Sequence, residues 1–235
     1  MANSFTGKPA QGRSTLAAAL LAILAVTGCA AQPNPATATP PASLSLPAPR
    51  TSGPLSLEQA LARRRSVRGF SDEPLTREQI SQLLWAAQGV TDARGLRTAP
   101  SAGALYPLEV YVVTAQGTHH YSPSDHALKL IVAGDRRPEL WRAALRQEAV
   151  GEAPAVFVIA AVYERTERKY GSQRTPRYVH LEAGHAAQNL LLQAVALDLG
   201  AGPIGAFDDA AVQAALSLPA DQRPLYLIPV GHPGP

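Results

Sequence analysis

The longest predicted helix covers residues 179–199, and it constrains the fold more than any other segment. Its apolar positions run nearly all round the helix, a pattern typical of a helix buried at the centre of a protein. The chain has 235 residues, of which 46% are hydrophobic, enough for one globular domain with a normal core. We therefore expect one domain that is built around this central helix.

Helices and strands alternate along the rest of the predicted domain. Ser56 can cap a helix that runs to about Arg65, and Thr76 and Gln79 form a capping-box pair before a helix that Gly89 ends. Strands are predicted over residues 108–114, 128–133, 154–162 and 225–230, and further helices over residues 138–146 and 209–216. Without Rossmann glycines, a P-loop or internal repeats, this order indicates an α+β domain around one sheet.

Charge and cysteine content exclude several classes of protein. The net charge is +3, and the basic residues are scattered among acidic ones, which gives no support to nucleic-acid binding. A single cysteine excludes a disulfide framework, a zinc ribbon and a Cys-ligated iron–sulfur cluster. His180 and His185 are five residues apart, unlike the zinc-binding HExxH spacing, so no metal site is expected.

The first 28 residues are predicted to be a signal peptide. Lys8 and Arg13 precede an apolar run over residues 16–26, which is too short to span a membrane as a helix. Residues 26–29, Val-Thr-Gly-Cys, resemble the bacterial lipobox, which implies lipidation of Cys29 and export to the periplasmic face of a membrane. Ala30 fits sorting to the outer membrane. The alternatives are an ordinary signal peptide, or an uncleaved segment on a cytoplasmic enzyme.

Residues 29–54 are predicted to be a tether between this anchor and the domain. The segment is rich in proline, alanine, serine and threonine, which favours extended polyproline conformations. The domain itself is then expected to cover residues 55–235.

Three segments carry candidate chemistry. The first is the group of arginines and a serine over residues 63–68. Their guanidinium groups can form bidentate hydrogen bonds with phosphate oxygens, and the serine hydroxyl is a further donor. The alternative is that these arginines complement the dipole at a helix end. Residues 98–107 and 200–206 are rich in small side chains, which allow a backbone to approach a flat ligand and present N–H groups to it. Plain surface turns would have the same composition.

Together, five motifs resemble the nitroreductase superfamily in order and spacing. They are RRSVRGF at 64–70, PSAGALYP at 100–107, EAGHAAQNLLL at 182–192, GPIG at 202–205 and LYLIPVGHP at 225–233. The resemblance covers about residues 56–233 and is closest to the SagB-type branch, which includes azoline oxidases of peptide natural products. It implies a central mixed or antiparallel sheet flanked by helices, with the long helix forming the core of a homodimer.

The resemblance also implies FMN bound at the subunit interface. By position, the ribityl phosphate would be held by Arg64, Arg65, Ser66 and Arg68. One side of the flavin would be lined by Ser101, Ala102, Gly103, Ala104 and Leu105, with backbone contacts at Ala104, where many nitroreductases have asparagine. Gly205 and Ala206 fall where the family offers a backbone N–H to flavin N5, a contact that stabilises the reduced ring.

Lys169 and Tyr170 match a Lys-Tyr pair that azoline oxidases use in dehydrogenation, where a base removes a proton while hydride leaves to N5. The alternative is an exposed loop, because residues 164–174 are a run of charged side chains. We expect substrate specificity to lie in loops over residues 89–98 and 163–177.

The resemblance leaves three activities open. The first is a ping-pong FMN oxidoreductase that acts on a small-molecule substrate, with NAD(P)H as one candidate electron donor. The others are an azoline dehydrogenase and a non-enzymatic envelope lipoprotein with a degenerate flavin fold.

Overall fold

A seven-stranded sheet runs through the part of the chain that the computed structural model describes, residues 43–234. Its strands lie in the order β1-β4-β3-β2-β5-β7-β6, and each neighbouring pair is antiparallel. The strands are β1 (Ser43–Ser45), β2 (Leu108–Thr114), β3 (Gly117–Ser122), β4 (Ala127–Ala133), β5 (Ala155–Val162), β6 (Gly200–Ala201) and β7 (Gln222–Gly231). The expected α+β fold with an antiparallel sheet is confirmed.

Seven α-helices accompany the sheet in the described residues. They are α1 (Leu57–Arg63), α2 (Arg77–Gln88), α3 (Arg137–Ala143), α4 (Glu148–Glu152), α5 (Tyr163–Tyr170), α6 (Thr175–Ala196) and α7 (Asp209–Leu216). The predicted caps of α1 and α2 are present: Ser56 and Thr76 each accept from the backbone N–H three residues on, and the glutamine there bonds back. Local sequence signals therefore determine where these helices begin.

The interior strand β5, which lies between β2 and β7, separates the two layers of the core. All eight of its residues are buried, as expected for an apolar strand covered on both faces. Phe157 and Ile159 pack with residues of α2 and α6 on one face of the sheet, while Val156 and Val158 pack with α3, α4 and α7 on the other. The helices thus flank the sheet on both sides.

Helix α6 is buried on one face and exposed on the other, unlike the predicted all-round burial. Val179, Ala186 and Leu190 are buried, whereas Leu181 and His185 are exposed. The reason is that α2 and the sheet cover α6 from one side. The apolar residues on its second face remain accessible in the single chain.

The domain begins earlier than residue 55, so the last part of the predicted tether is corrected. Strand β1 pairs with the edge strand β4, and Leu46 is buried in the core. Arg50 N–H donates to Gln82 Oε1 at 2.8 Å, and Gln82 Nε2 donates back to the Arg50 carbonyl at 3.0 Å. The alternating serine and leucine residues at 43–45 form an edge strand despite the surrounding prolines, since proline is tolerated at a sheet edge.

The predicted signal peptide, Cys29 and the first part of the tether lie outside the described residues. Within residues 43–234, none of the helices combines the length and the apolar character that a membrane crossing requires.

Candidate functional site

The arginine cluster follows the end of α1 in an extended segment. Ser66 forms a parallel bridge with Ala201, and Val67 N–H donates to the Ala201 carbonyl at 3.0 Å. Arg65 Nη1 donates to the carbonyls of Ala62 and Arg64 at 3.1 and 2.8 Å. Arg65 therefore caps the helix end, as the alternative interpretation of the cluster predicted.

The other members of the cluster are available for a ligand. Ser66 and Arg68 are exposed, and Arg64 is half-buried. No carboxylate within residues 43–234 forms an ion pair with Arg64 or Arg68. Two guanidinium groups without anionic partners and one hydroxyl make a donor set that fits a phosphate group.

Glycines let the segment 200–206 approach this cluster closely. A Cβ atom on Gly200 would lie 2.6 Å from Val67 Cγ1, and one on Gly202 would lie 2.9 Å from the Val67 carbonyl oxygen. Only glycine allows both contacts. Ser66 therefore lies beside the segment that leads to Gly205 and Ala206. Both of these residues are exposed, and a Cβ atom built on Gly205 would have no neighbour within 4 Å.

The second predicted group, residues 101–105, forms a tight turn with a strained backbone. We call residues 101–105 the flavin-lining segment, after the role that the resemblance predicted for them. Gly103 has φ +63°, and Ala104 and Tyr106 also have positive φ values of 53° and 47°, which are uncommon outside glycine. Ser101 Oγ accepts from the Tyr106 N–H at 2.9 Å, and Arg97 N–H donates to the Tyr106 hydroxyl at 3.2 Å. Side-chain bonds thus hold the turn closed.

Lys169 and Tyr170 lie against the flavin-lining segment. A Cβ atom on Gly103 would lie 2.8 Å from Lys169 Nζ and 3.0 Å from the Tyr170 hydroxyl. Both residues belong to the last turn of α5, so the expected loop over residues 163–177 is corrected: it consists of α5 and the start of α6, joined at Gly171 (φ +73°). Glu164, Glu167 and Arg168 are exposed on α5, which explains why the sequence resembles a solvated loop.

A half-buried ion-pair network, which was not predicted from the sequence, holds α5 in place. Arg165 donates to the Tyr106 carbonyl at 3.0 Å and to Glu109, while Glu109 Oε2 lies 2.5 Å from His120 Nε2. Burial raises the pKa of Glu109, but the hydrogen bond from His120 and the charge of Arg165 outweigh it, so this pKa lies below the ordinary value. The available signal was a glutamate within the otherwise apolar strand β2.

A second missed residue is Glu182, on the buried face of α6. Its side chain is 2% exposed, and burial raises the pKa of Glu182 to about 7, against the opposing effects of Ser101, Arg97 and Gln88. A charged residue among the buried positions of an apolar helix was the signal. No group of three His, Cys, Asp or Glu side chains in residues 43–234 could hold a metal ion.

The structure therefore collects the predicted residues into two groups. Ser66 and its neighbouring arginines lie beside residues 200–206, and Lys169 and Tyr170 lie beside residues 101–105. The first group can bind an anion, and the second presents an amine and a phenol next to an exposed backbone turn.

Comparison with known proteins matches residues 61–232 to the nitroreductase family. A protein of Methanocaldococcus jannaschii named "putative nitroreductase" is 46% identical over 184 residues, which are 76% of this chain and 91% of that protein. A crystal structure from Ralstonia eutropha with the same description has 31% identity and a TM-score of 0.74, covering 83% of this chain and 94% of the other.

Two further solved structures share the fold at 24% identity. The microcin synthetase complex of Escherichia coli, with truncated pro-MccB17 bound, has a TM-score of 0.67 over 79% of this chain and 76% of the matched chain. The NADPH:FMN oxidoreductase of Vibrio harveyi in complex with NAD⁺ has a TM-score of 0.58 over 76% of this chain and 69% of the other.

Proposed function

The chain is a member of the nitroreductase family, and we propose that it is an FMN-dependent oxidoreductase. The observation that carries this proposal is the donor set after α1. Arg64, Ser66 and Arg68 have no carboxylate partner in the described part of the chain, and Ser66 lies next to the glycine-rich segment 200–206.

The residues have distinct roles in this proposal. Arg64, Ser66 and Arg68 hold the ribityl phosphate, while Arg65 caps α1 and acts indirectly. The flavin-lining segment covers one side of the ring, and the backbone N–H of Gly205 or Ala206 is offered to N5. The chemistry that bound FMN would supply is hydride transfer through N5, from an electron donor to an acceptor. The electron donor and the small-molecule substrate bind in turn, which is ping-pong catalysis, and NAD(P)H is one candidate donor.

Released cofactor tests this proposal directly. We expect the purified protein to show flavin absorbance bands and to release about one FMN per chain on heating. Replacing Arg64 and Ser66 with alanine lowers the FMN content, whereas Arg94→Ala does not, because Arg94 pairs with Asp92 on the exposed surface. A colourless protein that FMN cannot reconstitute would favour the non-enzymatic alternative.

Exposed leucines support a homodimer. Leu57 and Leu61 on α1 are 62% and 52% exposed, and Leu181 on α6 is 55% exposed, while α1 and α6 pack on each other. Burial of such side chains stabilises an interface. Sedimentation analysis is expected to show a dimer that Leu181→Glu dissociates. Leu145→Glu is the control, because Leu145 is 65% exposed and lies outside these two helices.

Azoline oxidation is a second candidate, because Lys169 and Tyr170 lie against the flavin-lining segment. The pair supplies an amine and a phenol where a substrate C–H proton would be removed. The microcin synthetase complex has the same fold and holds a peptide. If this chain oxidises azolines, Lys169→Ala loses turnover of a heterocyclised peptide while it retains FMN. If only quinones and nitroaromatics are turned over, and Lys169→Ala reduces them as well as the wild type does, this candidate fails.

We also propose that the protein is exported and lipid-anchored through Cys29. The supporting sequence is the basic, apolar and Val-Thr-Gly-Cys order of residues 8–29. Palmitate labelling that is lost in Cys29→Ser, together with membrane fractionation, tests this. An unlabelled protein that remains in the cytoplasm would contradict it.

A further inference from the structure

Strand β7 anchors the backbone on the N-terminal side of Gly205. Ile204 N–H donates to the Leu227 carbonyl at 2.8 Å, and Leu227 N–H donates to the Ile204 carbonyl at 3.0 Å. A trans peptide unit is planar, so its C=O and N–H groups point in opposite directions. Because the Ile204 carbonyl points to β7, the Gly205 N–H of the same peptide unit points away from β7.

The side chain of Gln147 anchors the backbone on the other side of this position. Its Nε2 donates to the Ala206 carbonyl at 2.8 Å and to the Ala144 carbonyl at 2.9 Å. A side-chain amide has two N–H donors, and both partners are oxygens that only accept, so the amide nitrogen must face them. One side chain therefore joins the segment 200–206 to the end of α3, although Gln147 and Ala206 are 59 residues apart in the sequence.

Gln147 follows a tight turn that contains two strained residues. Leu145 and Arg146, between α3 and α4, have φ values of +57° and +59°, which are uncommon for residues other than glycine. Arg146 N–H donates to the Trp141 carbonyl at 2.9 Å, and Gln147 N–H donates to the Ala144 carbonyl at 3.2 Å. Such conformations persist only where surrounding contacts hold them, and they cluster at functional sites.

The peptide unit between Gly205 and Ala206 is a free unit between two anchored ones. Its C=O and N–H groups form no hydrogen bond within residues 43–234, and both residues are exposed. The preceding unit is held by Leu227 and the following unit by Gln147. No atom lies within 4 Å of a Cβ built on Gly205, so side-chain packing at this glycine does not hold the free unit. Its orientation consequently depends on the two anchors.

We propose that Gln147 is a positioning residue, which holds the peptide unit of Gly205 and Ala206 in the orientation that offers an N–H to flavin N5. The proposal rests on the proposed function, in which one of these two residues makes that contact. With Gln147 in place the donor is oriented before the flavin binds, so binding does not have to order it. Without Gln147 the free unit is anchored on one side only, and Gly205 allows it to rotate.

Amide hydrogen exchange in the protein without flavin tests the anchor. Gln147→Met keeps the length of the side chain and removes both donors. We expect it to accelerate exchange of the Asp208 N–H, which donates to the Ala143 carbonyl at 2.9 Å, about fivefold, the effect of about one hydrogen bond. Exchange of the Ile204 N–H stays the same. The control is Gln116→Met, at an exposed glutamine between β2 and β3, which changes neither rate.

The midpoint potential of bound FMN tests the consequence. A donor at N5 stabilises the reduced ring, so Gln147→Met is expected to weaken the binding of reduced FMN about tenfold relative to oxidised FMN. For a two-electron couple this change lowers the potential by about 30 mV. Gln147→Asn keeps the amide donors on a shorter side chain, and its potential should lie between those of Gln147→Met and the wild type. Gln116→Met should keep the wild-type potential.

The two measurements separate the failures. A protein whose exchange responds to Gln147→Met but that does not bind FMN contradicts the proposed function, and the flavin end of this inference fails with it. Unchanged exchange, or bound FMN with the same potential in the wild type and Gln147→Met, overturns the role of Gln147 and leaves the proposed function standing. A loss of stability with an unchanged potential also overturns it, because Gln147 would then serve only the turn between α3 and α4.

Discussion

Lys169 Nζ lies so close to Gly103 that a Cβ atom built on the glycine would be 2.8 Å away. The two residues are far apart in the sequence, and α5 brings the amine to the flavin-lining segment. Gly103 also has a positive φ value of 63°, so both the backbone conformation and the neighbouring side chain favour glycine there.

Gly103→Ala is expected to displace Lys169 at a modest cost in stability. The left-handed backbone costs alanine about 1 kcal/mol, and the flexible end of Lys169 can move. Gly134→Ala is the matched control, because Gly134 has φ +82° and open space around it. Denaturant unfolding should show similar losses of stability for the two variants. If the chain oxidises azolines, steady-state turnover of a heterocyclised peptide should fall only in Gly103→Ala. Equal turnover in both would contradict a role for the Lys169 contact.

Arg165 and Glu109 are expected to be energetically coupled. Arg165→Ala leaves Glu109, which is 12% exposed at its side chain, with His120 as its remaining ion-pair partner, and should cost about 2 kcal/mol. In a Glu109→Gln background the same change should cost less than about 1 kcal/mol. Unfolding of both single variants and the double variant measures this. Arg168→Ala, on the exposed side of α5, is the control, and additive losses would exclude the coupling.

Stability should depend on the protonation of Glu182. Its folded-state pKa of about 7 lies above the ordinary 4.5, so the folded protein holds this proton more tightly than the unfolded chain. Protonation of Glu182 therefore contributes fully to the free energy of unfolding below pH 4.5. This contribution is lost as the pH rises towards 7, a change of about 3 kcal/mol. Relative to the wild type, Glu182→Gln should become more stable between pH 5 and pH 8. A difference that does not vary with pH would contradict the buried acid.

Gly202→Ala is expected to disrupt phosphate binding. Its Cβ atom would lie 2.9 Å from the Val67 carbonyl oxygen. To relieve this contact the Val67 backbone must move, and the adjacent Ser66 would move with it. FMN affinity should fall at least about tenfold, the effect of losing about 1.4 kcal/mol of phosphate contacts. Gly69→Ala, in the same segment but with open space around it, should bind FMN like the wild type. Fluorescence titration of FMN measures both, and equal affinities would argue against this phosphate site.

Local patterns made much of this fold predictable. The capping boxes of Ser56 and Thr76, the cap at Asp208 and the strand over residues 108–114 agree with the sequence, because each depends on residues a few positions apart. The helix α5 was missed since its charged exposed face resembles a loop. Contacts between residues that are far apart in the sequence could not be predicted either, because local patterns do not indicate them. Examples are Arg165 with Glu109, 56 residues apart, and Lys169 with Gly103.

Because β1 pairs with β4, the folded domain begins closer to Cys29 in the sequence, and this limits how far the domain could lie from a membrane anchor at that residue. If Cys29 carries the proposed lipid, 13 residues separate it from Ser43, the first residue of β1, whereas 25 residues separate it from Leu55. A fully extended chain over those positions spans at most about 50 Å, compared with about 90 Å for the longer spacer. The enzyme would then work close to the membrane surface, where hydrophobic electron carriers such as quinones are concentrated and more distant periplasmic partners are out of range.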